Sequence, residues 1–368
     1  MSGSTIDRAE LFHDLGRYPQ AAELAARHLA GQPDDTRALI LLARCQRSMG
    51  DLNAALATVE EALRLEPDDA YPWMVRADTL SKLGRLQEAV AAARRAVELA
   101  PLFWGSHHAL AVVLERSGNR ALRTDAYAVA RHATSLAPEE ASAHFMVGLI
   151  AQRLGDLRTA RTAYETTLRL DPQSSEAHNN LAMLDQRRSA FNPRAWTRAA
   201  EGFVNSAALD VEDTYARYNL EGMAWGVAAS ARWVALAGMF VSMVSTYGLR
   251  SGSPEADGYS GPLIGGLLLV LMWSGWLLWQ RGRISHRVRG PLLMIARRCP
   301  PVLAMAAAVA MLALHSVAAV ALPLVDPPIM GGLAGLLFWN LILTYWISRV
   351  FLGRRSPVRR QRRTGGAG

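Results

Sequence analysis

Lysine is almost missing from this chain: of 368 residues one, Lys82, is a lysine, so nearly all of the 40 basic groups are arginine. Cysteine is nearly as scarce. Cys45 and Cys299 stand in different halves, which excludes a disulfide framework and any CxxC redox pair. The opening stretch "MSGSTIDRAELFHDLG" has no apolar run of the signal-peptide kind, so the first half is expected to stay in the cytoplasm. Signatures of catalysis are missing too, since no GxxxxGK[ST], GxSxG or HExxH occurs. Acidic runs such as "EEALRLEPDD" (60–69) lack the alternation and central glycine of a calcium loop. No catalytic residue, cofactor or metal site is therefore expected, and the chain reads as something other than an enzyme.

Acidic groups are absent in a more instructive way. Residues 1–220 carry 25 basic and 28 acidic groups, whereas residues 221–368 carry fifteen arginines against four acids, a net of +11. A pI near 10 would ordinarily suggest nucleic acid. Here the excess lies in the apolar half, where flanks of membrane segments account for it better, and no nucleic-acid partner is expected.

What is present is repetition. "HDLGRYPQAAELAARHLAGQP", "RSMGDLNAALATVEEALRLEP" and "SKLGRLQEAVAAARRAVELAP" share one skeleton of glycine, alanines and a closing proline at a period of 34. The glycines are Gly16, Gly50, Gly84, Gly118 and Gly155; the prolines are Pro33, Pro67, Pro101, Pro138 and Pro172. Each has a physical reason. Glycine takes the left-handed conformation that ends a first helix. Alanines at 55, 89, 126 and 160, with 62, 96 and 133 further on, let two helices approach closely. Proline stops the second helix. Phe12, Val59, Trp73 and Tyr164 are expected to fill the core. The fourth copy is 37 residues long, and its three extra residues (119–127) are expected to lengthen the inter-helix turn. A sixth, degenerate copy follows, with a first helix over 174–186 and a second over 196–213 carrying Ala199 and Phe203 at the small and aromatic positions. A further first-helix echo, 214–225, runs straight into the apolar half.

This pattern resembles the tetratricopeptide repeat (TPR) family over about 220 residues. The resemblance implies an all-α solenoid of five clear copies and a degenerate sixth; the apolar half that follows reads separately as a four-helix membrane region. It also implies a concave groove, lined by first helices, that holds a protein or peptide. The residues resembling groove positions are Arg37, Arg44, Arg47, Tyr71, Met74, Asp78, Lys82, His108, Glu115, Phe145, Leu149, Gln152, Asn179 and Met183. The Lys, Asn and Arg set by which one TPR subtype clamps a terminal carboxylate is incomplete here, so that ligand is not carried over. His107, His144 and His178 recur at one repeat position and read as packing rather than as ligands. The arginine and alanine bias resembles proteins of high-GC, actinobacterial-like genomes.

Four segments, about 228–248, 261–280, 301–325 and 329–351, approach or exceed the ~20 residues that cross a bilayer. Arg232 is expected to snorkel at the start of the first. Six arginines and no acid lie between spans two and three (281–299), and six more lie in the tail (353–368). The other two connections carry little positive charge. The positive-inside rule then puts both basic segments, and both termini, in the cytoplasm of an inner-membrane protein, where the arginines meet anionic lipid. Trp273, Trp276 and Trp279 read as an aromatic belt. Gly331, Gly332 and Gly335 read as a helix-packing face. His315 and Asn340, the deepest polar groups, are expected to bond between helices, and Asp326 to cap a connection.

The domains expected are a cytoplasmic solenoid (1–220), a membrane region (221–352) and a disordered basic tail (353–368). The expected function is a membrane-anchored adaptor or scaffold that recruits a cytoplasmic protein. The alternative is a transporter or sensor whose four-helix bundle the solenoid regulates.

Overall fold

The computed structural model describes residues 3–188, 192–210, 214–248, 260–322 and 327–355. Among them lie seventeen α-helices, one π-helical turn and no strand. The chain forms two compact units, Met1–Gln173 and Ser174–Gly368.

The first unit is a stack of five helix pairs: α1 (Gly3–Asp14) with α2 (Tyr18–Leu29), α3 (Thr36–Met49) with α4 (Leu52–Leu65), α5 (Ala70–Lys82) with α6 (Leu86–Leu99), α7 (Trp104–Arg116) with α8 (Arg120–Leu136), and α9 (Ala141–Leu154) with α10 (Leu157–Leu170). The turn glycines do what their placement demands. Gly16, Gly50, Gly84, Gly118 and Gly155 all have φ between 70° and 93°, and no other described residue has positive φ. A side chain in that conformation clashes with its own backbone, which is why glycine recurs. The residue after it usually reaches back five positions, as Arg17 N to Phe12 O (2.8 Å), Asp51 N to Gln46 O (2.9 Å), Arg85 N to Leu80 O (2.9 Å) and Asp156 N to Ala151 O (2.9 Å). Asp51 and Asp156 then cap the second helix, accepting from Ala54 N at 3.3 Å and Thr159 N at 3.0 Å.

The repeat alanines Ala21, Ala55, Ala89, Ala126 and Ala160 are wholly buried, as are Ala62, Ala96 and Ala133. A methyl group there lets helix backbones close up where any larger chain would force them apart. Gly148 takes this further, for a Cβ on it would stand 2.7 Å from the Tyr164 ring. Val59 and Tyr164 are wholly buried, while Phe12 and Trp73 pack from the margin.

The fourth pair departs from expectation. Its turn, Ser117–Gly118–Asn119, is as short as the others, and the three extra residues instead lengthen α8 to 17 residues against 14 for α4, α6 and α10. Asn119 caps the new start by accepting from Ala121 N at 2.9 Å. Arg120, Ala121, Leu122 and Arg123 are good helix formers, so propagating the helix costs less than a wider turn.

The second unit begins with α11 (Ser175–Arg188) and α12 (Pro193–Leu209), the degenerate sixth pair. Ala199 and Phe203 are wholly buried as expected. A Cβ on Gly202 would stand 2.8 Å from Ala182 Cβ, so these helices also touch closely. Then comes α13 (Thr214–Met243), unbroken over 30 residues, which carries the last first-helix echo directly into an apolar helix and ends in a π-helical turn (Val244–Gly248). There follow α14 (Ser260–Arg283), α15 (His286–Arg298), α16 (Pro300–Ala321) and α17 (Pro327–Arg354). Four stretches are long and apolar enough to cross a membrane: Thr214–Thr246, Gly261–Arg283, Pro300–Ala321 and Ile329–Arg354. Residues 249–259, Asp326, the tail beyond Arg355 and 211–213, the end of the second helix expected for the sixth copy, lie outside the described residues.

The basic connection between the second and third apolar helices, which its charge marks as a loop, has the helix α15 at its centre. Val288, Leu292, Ile295 and Cys299 recur at helical spacing and pack against Trp196, Leu220 and Val302, while Arg287, Arg289, Arg297 and Arg298 stay exposed. The tryptophan reading changes as well. Trp273 and Trp276 pack inward against Ala231 and Met305, Trp276 donating to Ser230 Oγ at 3.3 Å; of the three, only Trp279 faces out.

Candidate functional site

First helices of successive pairs pack on one another, α3 on α5, α5 on α7, α7 on α9, whereas the second helices of successive pairs scarcely meet. A stack joined more tightly along one row curves toward that row, so the first helices line its inner side.

On this row the charges converge. Asp78 on α5 receives Arg47 of α3 at 3.0 Å, Arg116 of α7 at 3.2 Å and Lys82 of its own helix at 3.8 Å. Next to it Glu115 of α7, only 4% exposed, is paired with Arg153 of α9. Arg44 of α3 donates to His13 Nδ1 at 3.4 Å. Four cations (Arg47, Lys82, Arg116, Arg153) thus share two carboxylates, with Arg44 on His13 at the same row's end. Burial and the neighbouring Arg47 and Arg116 charges hold the Lys82 amine below its ordinary value, against the pull of Asp78. His108 lies beside the cluster on Trp104, rings 5.6 Å apart, and its burial lowers its proton affinity.

The remaining groove candidates are placed as follows. Arg37 is exposed but held by Asp7 at 2.9 Å and Glu10 at 2.5 Å of α1. Tyr71 is exposed at the start of α5, and Met74 is half-buried. Phe145 lies against Tyr164, 5.6 Å between rings, and the Tyr164 hydroxyl donates to Gln152 Oε1 at 2.9 Å. Leu149 is half-buried against the core. Asn179 and Met183 belong to the second unit. There Asn179 Oδ1 accepts from Asn219 at 3.3 Å, and Met183 packs on the α11–α12 core.

Sequence reasoning missed Arg116 and Arg153. The signal was available: Lys82, Arg116 and Arg153 each stand two residues before a turn glycine, one cationic column through three consecutive copies. It also read His107 and His144 as packing alone. Both donate Nε2–H to the closing proline's carbonyl six residues earlier, His107 to Pro101 at 2.8 Å and His144 to Pro138 at 2.9 Å, as Trp73 Nε1 does to Pro67 at 2.9 Å. The ring at this position therefore fastens the turn that the proline begins.

In the apolar helices, Arg232 is held rather than merely extended toward water. Its guanidinium lies 4.3 Å from the Tyr345 ring and 4.8 Å from that of Trp233, and donates to Ala229 O at 2.7 Å. His315 Nε2 donates to Met330 O of α17 at 3.1 Å, the expected interhelical bond. Asn340 corrects the expectation: it is exposed and bonds to nothing among the described residues. Nor do Gly331, Gly332 and Gly335 mark a close helix approach among the described residues, where nothing lies within 4 Å of a Cβ on any of them. An apolar cavity of about 550 Å³ opens between α13, α14 and α16, walled by Trp273 and Trp276 against Ala306, Ala310 and Ala313.

Comparison with known proteins agrees with the repeat geometry. Tetratricopeptide-repeat profiles match residues 12–79, 70–101 and 145–184. No curated protein matches the sequence. Among solved structures, a chain of the APC/C hetero-tetramer Cut9–Hcn1 is similar at a TM-score of 0.50 and 16% identity, over 59% of this chain and 41% of that one, so well under two thirds of its length is matched. YrrB, a TPR protein with an unusual peptide-binding site, aligns at 18% identity and a TM-score of 0.35, over 53% of this chain and 96% of its own. TTC0263, a thermophilic TPR protein of Thermus thermophilus, aligns at 22% and 0.35, over 59% and 95%. TPR-fold proteins are typically non-enzymatic scaffolds for protein–protein interaction, and no catalytic family is indicated. With its left-handed turn glycines, buried alanine columns and matching profiles, the stack of helix pairs in the first unit is a helical-repeat solenoid similar to those of tetratricopeptide-repeat proteins.

Proposed function

We propose that this chain is a membrane-anchored adaptor whose inner repeat face captures an acidic segment of a cytoplasmic protein. The observation that carries the reading is the cluster around Asp78. Three cations share that one carboxylate, a second carboxylate serves one arginine more, and the excess of positive charge along the row attracts carboxylates from outside. Tyr71, Met74, Phe145 and Leu149 add apolar contact beside it, so the segment that fits alternates acidic with apolar or aromatic residues. Arg37, Arg44, His108, Glu115 and Gln152 complete the proposed set, all of it within the first unit.

In this proposal the four apolar stretches span an inner membrane of a high-GC, actinobacterial-like cell, with residues 1–220 and the basic tail (353–368) on the cytoplasmic side and 221–352 in and against the bilayer. Two features support it: the six arginines of 281–299 and the six of the tail fall on one side of any four-span arrangement, and connections on the other side carry little positive charge. Those arginines would meet anionic lipid headgroups.

The test uses the full chain in mild detergent and two fluorescent peptides, one of alternating glutamate and leucine, one with lysine for glutamate. The glutamate peptide binds, weakens steeply with salt, and loses roughly tenfold when Lys82, Arg116 and Arg153 all become glutamine, as three exposed charge pairs at ~0.5 kcal/mol each imply. Equal binding of both peptides, or no effect of the triple substitution, would contradict the proposal.

A further inference from the structure

The last apolar helix, α17, is the most exposed of the four: 6% of its apolar window is buried, against 44% for α16. It touches its own unit along one side only, through Leu341, Ser348 and Leu352, with Leu337 and Tyr345 beside them. The opposite side is exposed from end to end and carries Leu333, Leu336, Asn340, Leu343, Ile347 and Val350. Their spacing alternates three and four residues, so it is the a and d seam of a heptad repeat, with Leu333, Asn340 and Ile347 at one position and Leu336, Leu343 and Val350 at the other. Apolar exposure alone says nothing in a helix bound for lipid. An amide does, because hydrocarbon offers neither donor nor acceptor and burying an unbonded amide there costs several kcal/mol.

Resting on the membrane reading above, we infer that α17 is a self-association seam, on which a second copy of this chain packs as a parallel two-fold dimer with Asn340 bonded to its own counterpart. A second copy is the occupant that the chemistry favours. The carboxamide is donor and acceptor at once, so across a two-fold axis each Asn340 supplies what the other lacks. Two copies in one membrane run parallel, which brings residue 340 level with residue 340. A single asparagine at an a position is also a device that fixes register, since a shift by one heptad would leave both amides unpaired. The glycines do not share this role. Gly331 and Gly335 lie well round the helix from Asn340, so the seam is of the wider leucine type rather than the close glycine type.

The test is position-specific disulfide formation in the full chain, in vesicles of phosphatidylcholine and phosphatidylglycerol, with copper–phenanthroline as oxidant. The natural thiols stay silent: both are buried, and burial pushes that of Cys45 up to about 11. Leu336→Cys and Leu343→Cys should give covalent dimers, while Leu337→Cys, one residue along but facing the bundle, should not. Adding Asn340→Leu to Leu343→Cys keeps the helix apolar and should weaken dimerisation about three- to tenfold, and Asn340→Gln should restore much of it. Cross-linking at 337 equal to that at 336, or no change with Asn340→Leu, would overturn the seam. Recovery of the chain in the soluble fraction would overturn the membrane reading instead, and with it the reason Asn340 needs a partner.

Discussion

At the scale of single residues, the fold depends on a few positions where one atom too many is decisive. Ala89 and its equivalents are buried to the last atom, and Gly148 has the Tyr164 ring where its side chain would go. Histidine makes a different kind of residue-scale statement. Burial lowers the proton affinity of His108, and burial with the Arg44 charge lowers that of His13. The unfolded chain then takes up protons near the ordinary value of 6.5 that the folded chain refuses. Stability therefore rises with pH across the window between the two values and is lost as pH falls through it. Thermal unfolding of the full chain should show a lower midpoint at pH 5.5 than at 7.5. His108→Gln, which cannot charge, should narrow that gap; an unchanged gap in both His108→Gln and His13→Gln would refute the assignment.

At the scale of elements, legibility in the sequence followed range. The five helix pairs and the four apolar helices could be read because a turn glycine, a closing proline and an apolar run are local signals. The lengthened α8 was misplaced because a count of residues between Gly118 and Pro138 fits a longer turn as well as a longer helix; only the cap at Asn119 separates the two. Helix α15 was hidden for another reason. Its six flanking and internal arginines dominate any reading by charge, while Val288, Leu292 and Ile295 mark a buried stripe only once a helix is assumed. On the inner face, Arg44, Arg47, Asp78 and Lys82 were legible by position, but Arg116 and Arg153 enter through pairs 38 residues apart in sequence. The stripe of α15 carries its own prediction. Val288→Asp puts a charge into an apolar contact and should release the helix, seen as rapid tryptic cleavage after Arg287, Arg289 and Arg297 while α16 stays protected. Resistance like that of the wild type would mean that α15 is held by something other than this stripe.

At the scale of the whole molecule, the charge division and the division of hydropathy coincide: an acidic, repeat-built first part and a basic, apolar second part. A solenoid normally needs a polar cap at its open end. Here the sixth pair is followed by α13, one helix that begins as a repeat echo and ends as the first apolar stretch, so the proposed anchor starts inside the repeat pattern with no linker of its own. That continuity suits the proposed adaptor, in which a protein on the inner face would stay tethered to the bilayer.

The central claim is that this face holds a cytoplasmic protein at a membrane, and co-purification from native membranes in mild detergent tests it most directly. Wild type is compared with Arg44→Glu/Arg47→Glu/Tyr71→Ala, whose helicity is first shown to match. The account predicts a specific protein retained by wild type, rich in acidic residues where it binds, and lost from the variant. The same set of proteins on both, or none on either, would contradict it.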